Sequence, residues 1–527
     1  MLTRLTASSW RRAAPAALAA VLAGAYLLVE PRTVDLAASV YRARLFDRVG
    51  FTIWDGNWYS GHYTLGYSVL LPALAWALGP LVVGALSTIA SAALFEPLAR
   101  AHFGPAARWG TLWFGAAAAA PLVSGRIPFG LGVAFGLGAL LACQRRRLAL
   151  ATALAVACSL ASPVAGAFLT LGGVAYALSG RIRAGAWLAA GAAAPILLLA
   201  LLFPSTGYEP FAFSAFLPVP VFALVCAAVL PRRERALRIG AVLYAIAATA
   251  TVLIHSPMGG NVARLGTLFA GPLMACVLLG RARSRRGAIL LAGALLASLA
   301  VWQWSPAVRD LRKAYEDPAT QASYYRPLLG YLEAADRERS RIEIPFTRSH
   351  WEAAEVAPRF PLARGWERQT DIGRNGLFYD GRLDPKTYAT WLTARGVRFV
   401  AVADARPDYS AYRERALIES GLPYLRLRWR SHHWRVYELT LPHPMVVPRD
   451  PASISLAKLG PDYVNLLVRR PGAAAVRVAW SPYWRAARGC VERDGEWTRV
   501  IARRPGPLRL TMDFAPDRVV ADGRRCG

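Results

Sequence analysis

Val34–Pro72 reads VDLAASVYRARLFDRVGFTIWDGNWYSGHYTLGYSVLLP. It follows an apolar run, Ala13 to Leu28, and gathers acids, aromatics and turn residues in one place. Asp35, Asp47, Asp55, His62, Trp54, Trp58, Tyr59, Tyr63 and Tyr67 all fall inside it, with Gly50, Gly56, Gly61 and Gly66 between them. A loop that only joins two spans needs a handful of polar residues. This one is long and aromatic, so it is expected to fold against the membrane and line a cavity, as the active-site loop of a membrane enzyme. The plain alternative is an interfacial aromatic belt with ordinary solvated acids.

Working outward, the chain has 527 residues, 55% of them hydrophobic and 18% charged. The first figure is too high for a soluble protein and the second too high for one wholly in lipid. Uneven distribution resolves the conflict. Apolar stretches of near-spanning length fill residues 13 to 304, after which Arg, Asp, Glu and Pro rise sharply, so a membrane half precedes a water-exposed half.

The formal net charge of +29 does not point to nucleic acid. Much of the Arg sits in short loops between apolar segments, where topology explains it, and no Arg-aromatic stripe of the kind that grips single strands stands out. Attraction to anionic lipid head groups is the better use of the excess. Cys143, Cys158, Cys226 and Cys276 lie in apolar segments as small core residues, whereas Cys490 and Cys526 lie in the polar half and make a candidate disulfide if that half is exported.

Eleven spans are expected: 13–28 and about 80–99, 105–123, 127–143, 148–161, 163–179, 184–203, 210–230, 236–254, 261–280 and 287–304. Arg4, Arg11 and Arg12 before the first run also fit a signal peptide, but the many later spans favour an uncleaved first one with a cytoplasmic N-terminus. Arg100 and Arg108, Arg145 to Arg147, Arg181 and Arg183, Arg232 to Arg235 and Arg281 to Arg286 mark every second loop, and the alternating loops are poor in base. That is positive-inside alternation. It holds only if residues 30 to 100 cross the membrane a net single time, so Tyr67 to Leu78 is expected to be interfacial or re-entrant.

The organisation read from the sequence is thus a polytopic helical membrane domain, 1–304, with a first outer loop at 30–79. An extracytoplasmic α/β module follows at 305–441 and a small all-β, sandwich-like module at 442–527. The first outer loop and everything after Trp304 are expected on one side.

Two acids in the loop suit base catalysis. Asp35 is held near the interface by the first span, and Asp55 sits in Trp-Asp-Gly-Asn-Trp, where aromatic neighbours would desolvate it. Their bland readings are an N-cap for a helix at Leu36 to Phe46 and an Asx turn. His62 is a candidate for phosphate, metal or turn capping, and a divalent metal on Asp35 or Asp55 stays open. Arg126, in Ser-Gly-Arg-Ile-Pro, and Arg264 lie at the outer ends of spans, where topology does not ask for positive charge; they suit a lipid phosphate, the alternative being snorkelling. Downstream, His350, Trp351, Glu352, Arg364, Trp366, Glu367, Arg368, Asp371 and Asn375 form a mixture that stacks on sugars, or else an interface. No nucleophile elbow, P-loop or Rossmann glycine pattern is present.

One span, a long outer loop with an early acid, the run Trp54-Asp55-Gly56-Asn57-Trp58-Tyr59-Ser60-Gly61-His62-Tyr63 and then Tyr67-Ser68-Val69-Leu70-Leu71-Pro72 together resemble the GT-C integral-membrane glycosyltransferases, of actinobacterial type with an extracytoplasmic C-terminal domain. The resemblance implies a polyprenyl-phosphate sugar donor, an extracytoplasmic glycan or lipid acceptor, and an acid of the first outer loop as base or metal ligand. Asp35 matches that acid best and Asp55 second. Trp54, Trp58, Tyr59, His62 and Tyr63 then join Arg126 and Arg264 as candidate substrate contacts. The chain departs from the family in lacking an Asp-Asp or Asp-Glu pair after the first span and in reading Tyr-Ser-Val-Leu-Leu-Pro where a tight Tyr-Pro-Pro is common. The expected function is an inverting glycosyl transfer at the plasma membrane; a transporter or flippase, or a non-enzymatic envelope assembly protein, are the alternatives.

Overall fold

The computed structural model describes residues 2–281, 286–336, 340–515 and 517–520. It divides into two compact units. The first comprises Met1–Ala43, Gly66–Leu201 and Tyr208–Tyr315; the second comprises Arg44–Leu65, Leu202–Gly207 and Glu316–Gly527.

The first unit is helical. Each of the eleven apolar segments forms helix, because Ala- and Leu-rich runs favour it and because hydrocarbon leaves backbone groups no other partner. Among the described residues, seven stretches are long and apolar enough to span: Arg11–Val29, Pro80–Val123, Ile127–Gln144, Ile182–Leu202, Arg235–Leu253, Gly259–Leu279 and Ile289–Glu316. Leu148–Ala161, Pro163–Leu178 and Phe213–Val229 are apolar but shorter. Pro80–Val123 holds two of the expected segments, broken at Gly104–Ala106, where Gly104 has φ +59° and Pro105 follows. The last helix runs from Arg286 to Glu316, twelve residues beyond the expected boundary at 304 (316 − 304). The chain is a multi-pass membrane protein.

Tyr67 to Leu78 holds a helix too short to span a bilayer by itself. Its helix, Leu71–Leu78, has 8 residues, or about 12 Å at 1.5 Å per residue. Gly79 then turns at φ +83° into the next helix, while the N–H groups of Val69 and Leu70 donate to Leu160 O. Elsewhere glycine permits close crossing: a Cβ on Gly185 would lie 2.5 Å from Gly173 O, so Pro163–Leu178 and Ile182–Leu202 meet backbone to backbone. Phe95 stacks on Phe114 at 4.0 Å, and Phe114 on Phe269 at 5.2 Å, in the helical core.

The second unit is mixed. Strands β1 (Trp54–Asp55) and β2 (His62–Tyr63) pair as a hairpin. Strands β3 (Arg341–Glu343), β4 (Val397–Ala403), β5 (Leu425–Arg430) and β6 (Trp434–Leu439) make one sheet in the order β3-β4-β6-β5, with β3 and β4 parallel and the rest antiparallel. The helices Ala322–Ala335, Pro385–Arg395 and Tyr412–Glu419 accompany it. Beyond it come β7 (Val446–Pro448), β8 (Ser453–Leu459), β9 (Tyr463–Arg470), β10 (Gly472–Ala479), β11 (Trp484–Ala486), β12 (Gly489–Asp494), β13 (Trp497–Ala502) and β14 (Gly506–Met512). They build two four-stranded antiparallel sheets, β12-β13-β10-β7 and β11-β14-β9-β8. Alternate residues are buried, Val464, Leu466 and Val468 on β9 and Ala474, Val476 and Val478 on β10, as a one-sided sheet requires. Cys490 is disulfide-bonded; Cys526 lies outside the described residues.

Candidate active site of the helical unit

Asp35 ends the turn that follows the first span, directly before the helix Leu36–Val49. Its carboxylate reaches a neighbour 91 residues away: Arg126 Nε donates to Asp35 Oδ2 at 2.7 Å. The loop Ser124-Gly125 makes this meeting possible. Gly125 has φ +77°, and a Cβ there would lie 2.3 Å from Leu36 N, so only glycine lets the loop press against the residue next to Asp35. Arg126 N donates to Pro121 O at 2.7 Å, and Pro128 in the first turn starts the helix Ile127–Gln144, fixing where the guanidinium leaves the backbone.

A second carboxylate closes on the same cation. Asp310 Oδ2 is 3.9 Å from Arg126 Nη2, and Asp310 also hydrogen-bonds the Ser124 hydroxyl. Burial alone would lower the Arg126 pKa, but Asp35 and Asp310 outweigh it and leave it raised, so the group is a permanent cation. Arg264 lies within electrostatic reach of Arg126, Asp35 and Glu209, and its guanidinium sits 5.5 Å over the Phe129 ring. Glu209 is fixed through its backbone, its N–H donating to Ser256 O at 3.0 Å. Arg126 and Arg264 repel each other, and Asp35 and Glu209 offset part of that repulsion at Arg264.

Among the described residues no group of three or more His, Cys, Asp or Glu is placed to hold a metal ion. The cation between Asp35 and Asp310 is Arg126 itself, so these residues do not fit a divalent ion there.

The other sequence candidates belong to the second unit, where they are built into its interior. Asp55 accepts from Asn57 N at 3.0 Å, forming the Asx turn, and its side chain is fully buried. The His62 ring stacks on Trp58 at 5.6 Å, with Nδ1 3.1 Å from Asp55 O and Nε2 3.9 Å from Glu367. Trp58 Nε1 donates to Ala353 O, Tyr59 OH to Glu367 O at 2.7 Å, and Tyr63 OH pairs with Ser481 Oγ; Trp54 is fully buried between Tyr63 and Trp484. Arg374 donates to the carbonyls of Tyr59 and Gly61. These rings pack against other residues of the second unit.

The same holds downstream. Arg364 is buried between the rings of Phe346 and Phe378, 4.0 and 3.9 Å from its Cζ, and forks onto Asp371 at 2.6 Å and Glu414 at 3.0 Å. Asn375 Nδ2 donates to Asp371. Glu352 is buried and accepts from the Thr347 hydroxyl at 2.5 Å, beside a buried Trp351. Arg368 contacts Asp408 at 2.8 Å, with His350 3.5 Å from the same carboxylate; burial would raise the Asp408 pKa, but these two bases hold it well below the usual carboxylate range. Trp366 is half-buried.

Sequence reasoning named Asp35, Arg126 and Arg264 but missed Asp310, Glu209 and Gly125. A signal for Asp310 existed: it is an acid in a helix continuous with an apolar span, where an unpartnered charge is costly.

No family's sequence pattern matches this chain, and no curated protein matches it. Among solved structures, the arabinofuranosyltransferase AftD from mycobacteria, in a mutant form, superposes with a TM-score of 0.50 at 13% identity, over 96% of this chain and 60% of that one. The chain shares its fold with that structure. A second structure of AftD aligns at a TM-score of 0.47 and 14% identity, over 96% and 57% of the two chains. The chain thus spans about 60% of the length of the first.

Proposed function

We propose that the chain is a membrane glycosyltransferase that moves a sugar from a polyprenyl phosphate to a hydroxyl of an extracytoplasmic glycan or lipid acceptor. One observation carries the reading: Asp35 and Asp310 hold Arg126 between them, with Arg264 beside it. The acceptor oxygen attacks the anomeric carbon as the bond from that carbon to the phosphate oxygen breaks. Asp35 takes the acceptor's proton, and polyprenyl phosphate departs with the electron pair. In the resting site Asp35 is tied to Arg126. A donor phosphate competes for the same guanidinium, so donor binding frees the base at the moment it is needed. Arg126 and Arg264 then stabilise the negative charge that grows on the leaving phosphate.

The fold supports this class of chemistry without fixing its substrates. The neighbour's name makes an arabinofuranosyl polyprenyl phosphate the first donor to assay. The arginine-marked loops further support an N-terminus in the cytoplasm, with the residues after Glu316 outside it, at the plasma membrane. The deciding experiment gives membranes a radiolabelled polyprenyl-phosphate sugar and compares wild type with Asp35→Asn. Loss of a general base is expected to cut transfer about 10²- to 10⁴-fold; undiminished transfer removes Asp35 from the role.

A further inference from the structure

The helical unit encloses a cavity of about 830 Å³. Its walls are apolar, from Phe95, Leu137, Leu169, Phe222 and Leu273. Polarity is concentrated at one end. There His102, Arg181, Arg233, Glu234 and Arg235 line it, at the tip of Pro80–Phe103 and at the starts of Ile182–Leu202 and Arg235–Leu253. These are the arginine-marked loop ends. Among the described lining residues, the exposed ones (Ala101, His102, Arg181, Arg233, Arg235) all lie at that end, so the cavity meets the surface there. At the opposite end it reaches Phe129 and Leu265, both without such exposure.

The mouth carries excess positive charge. Glu234 is 9% exposed and already engaged, 2.7 Å from His102 Nδ1 and 3.4 Å from Arg233 Nε. Arg181 is exposed, with Nη1 donating to Tyr176 OH at 2.5 Å and its guanidinium over that ring. A greasy interior of this size beneath several guanidiniums matches a molecule with apolar chains and an anionic head. We propose that the cavity binds an anionic membrane lipid from the leaflet bordering the arginine-rich loops, its acyl chains inside and its phosphate among Arg181, Arg233 and Arg235. This does not rest on the glycosyl-transfer reading, whose phosphate site is formed by Arg126 and Arg264 at the starts of Ile127–Gln144 and Ala263–Arg281.

The test titrates full-length protein in mild detergent with phosphatidylglycerol or phosphatidylcholine and counts bound lipid by native mass spectrometry. Phosphatidylglycerol is expected to bind in preference, near one per chain. The double variant Arg181→Glu, Arg233→Glu should weaken it by at least about tenfold, whereas Arg126→Gln should leave it unchanged. Gly172→Phe should also weaken it, since Gly172 lines the cavity and a Cβ there meets nothing within 4 Å. Should that variant unfold, the surface charge reversals still decide. Equal binding of both lipids, or binding that depends on Arg126 but not on Arg181 and Arg233, overturns the proposal; the latter would mean that the chain enters from the opposite end.

Discussion

Arg126 is held from two sides, and the two carboxylates are not equivalent. Asp35 contacts Nε at 2.7 Å, and Asp310 stands off at 3.9 Å from Nη2. If Asp35 is the base and Asp310 only steadies the guanidinium, Asp310→Asn should lower transfer about tenfold, clearly less than Asp35→Asn. Equal losses in the radiolabel assay would make Asp310 a partner in the proton transfer instead. In the second unit, burial pushes Glu343 well above the ordinary carboxyl range, and the neighbouring Glu414 pushes it further against the pull of Arg364; Glu414 is raised too, mainly by burial. The folded form therefore prefers this pair protonated. Its stabilising effect is fully present below the unfolded value of about 4.5 and is lost as pH rises through the folded values. Glu343→Gln removes that loss, so its melting temperature should exceed wild type by roughly 3 °C at pH 7.5, with the gap closing towards pH 4.5. A gap independent of pH, measured by differential scanning fluorimetry, would contradict this.

At the scale of elements, the site depends on one tight turn. Gly125→Ala puts a methyl 2.3 Å from Leu36 N in a left-handed conformation. The cost is on the order of 1–3 kcal/mol, and the loop must shift, carrying Arg126 away from Asp35. Transfer should fall more than about tenfold. Gly180→Ala is the control, since Gly180 also has a positive φ of +103° but open space around it, and it should leave transfer near wild type. Equal activity of the two variants would show that the close approach at Gly125 does not position Arg126. Helix positions followed from runs of apolar residues, because length and composition are local properties. The turn did not, because a glycine's φ and its neighbour 89 positions away (125 − 36) are not written in its vicinity.

For the whole molecule, the second unit is discontinuous in sequence. Arg44–Leu65 supplies Trp54, Trp58 and Tyr59 to its interior, and Leu362 N donates to Asn57 O at 2.7 Å. A fragment of residues 316–527 alone lacks three large buried side chains, each worth several kcal/mol in a core. It should be unfolded by circular dichroism, and joining 44–65 to it through a flexible linker should restore a cooperative melt; a cooperative melt of the bare fragment would refute this. Topology is open to labelling as well. Single cysteines replacing Arg146 and Arg264 should react with a membrane-impermeant maleimide from opposite sides of the bilayer, and same-side labelling would break the charge alternation.

The sequence by itself determined the helical half, the alternation of its arginines, the strand-rich end, and the identity of Asp35, Arg126 and Arg264 as charges needing a reason. Hydrophobic run length, loop charge and period-two alternation are short-range, so they survive in a bare string of letters. Only the tertiary structure decided that Asp310 completes the arginine's company and that the aromatic run is interior to the second unit. Its partners lie far along the chain, Tyr59 bonding to a residue 308 positions away. An aromatic, glycine-rich segment looks the same whether lipid, substrate or protein covers it, because burial is a property of what packs against a residue and not of the residue.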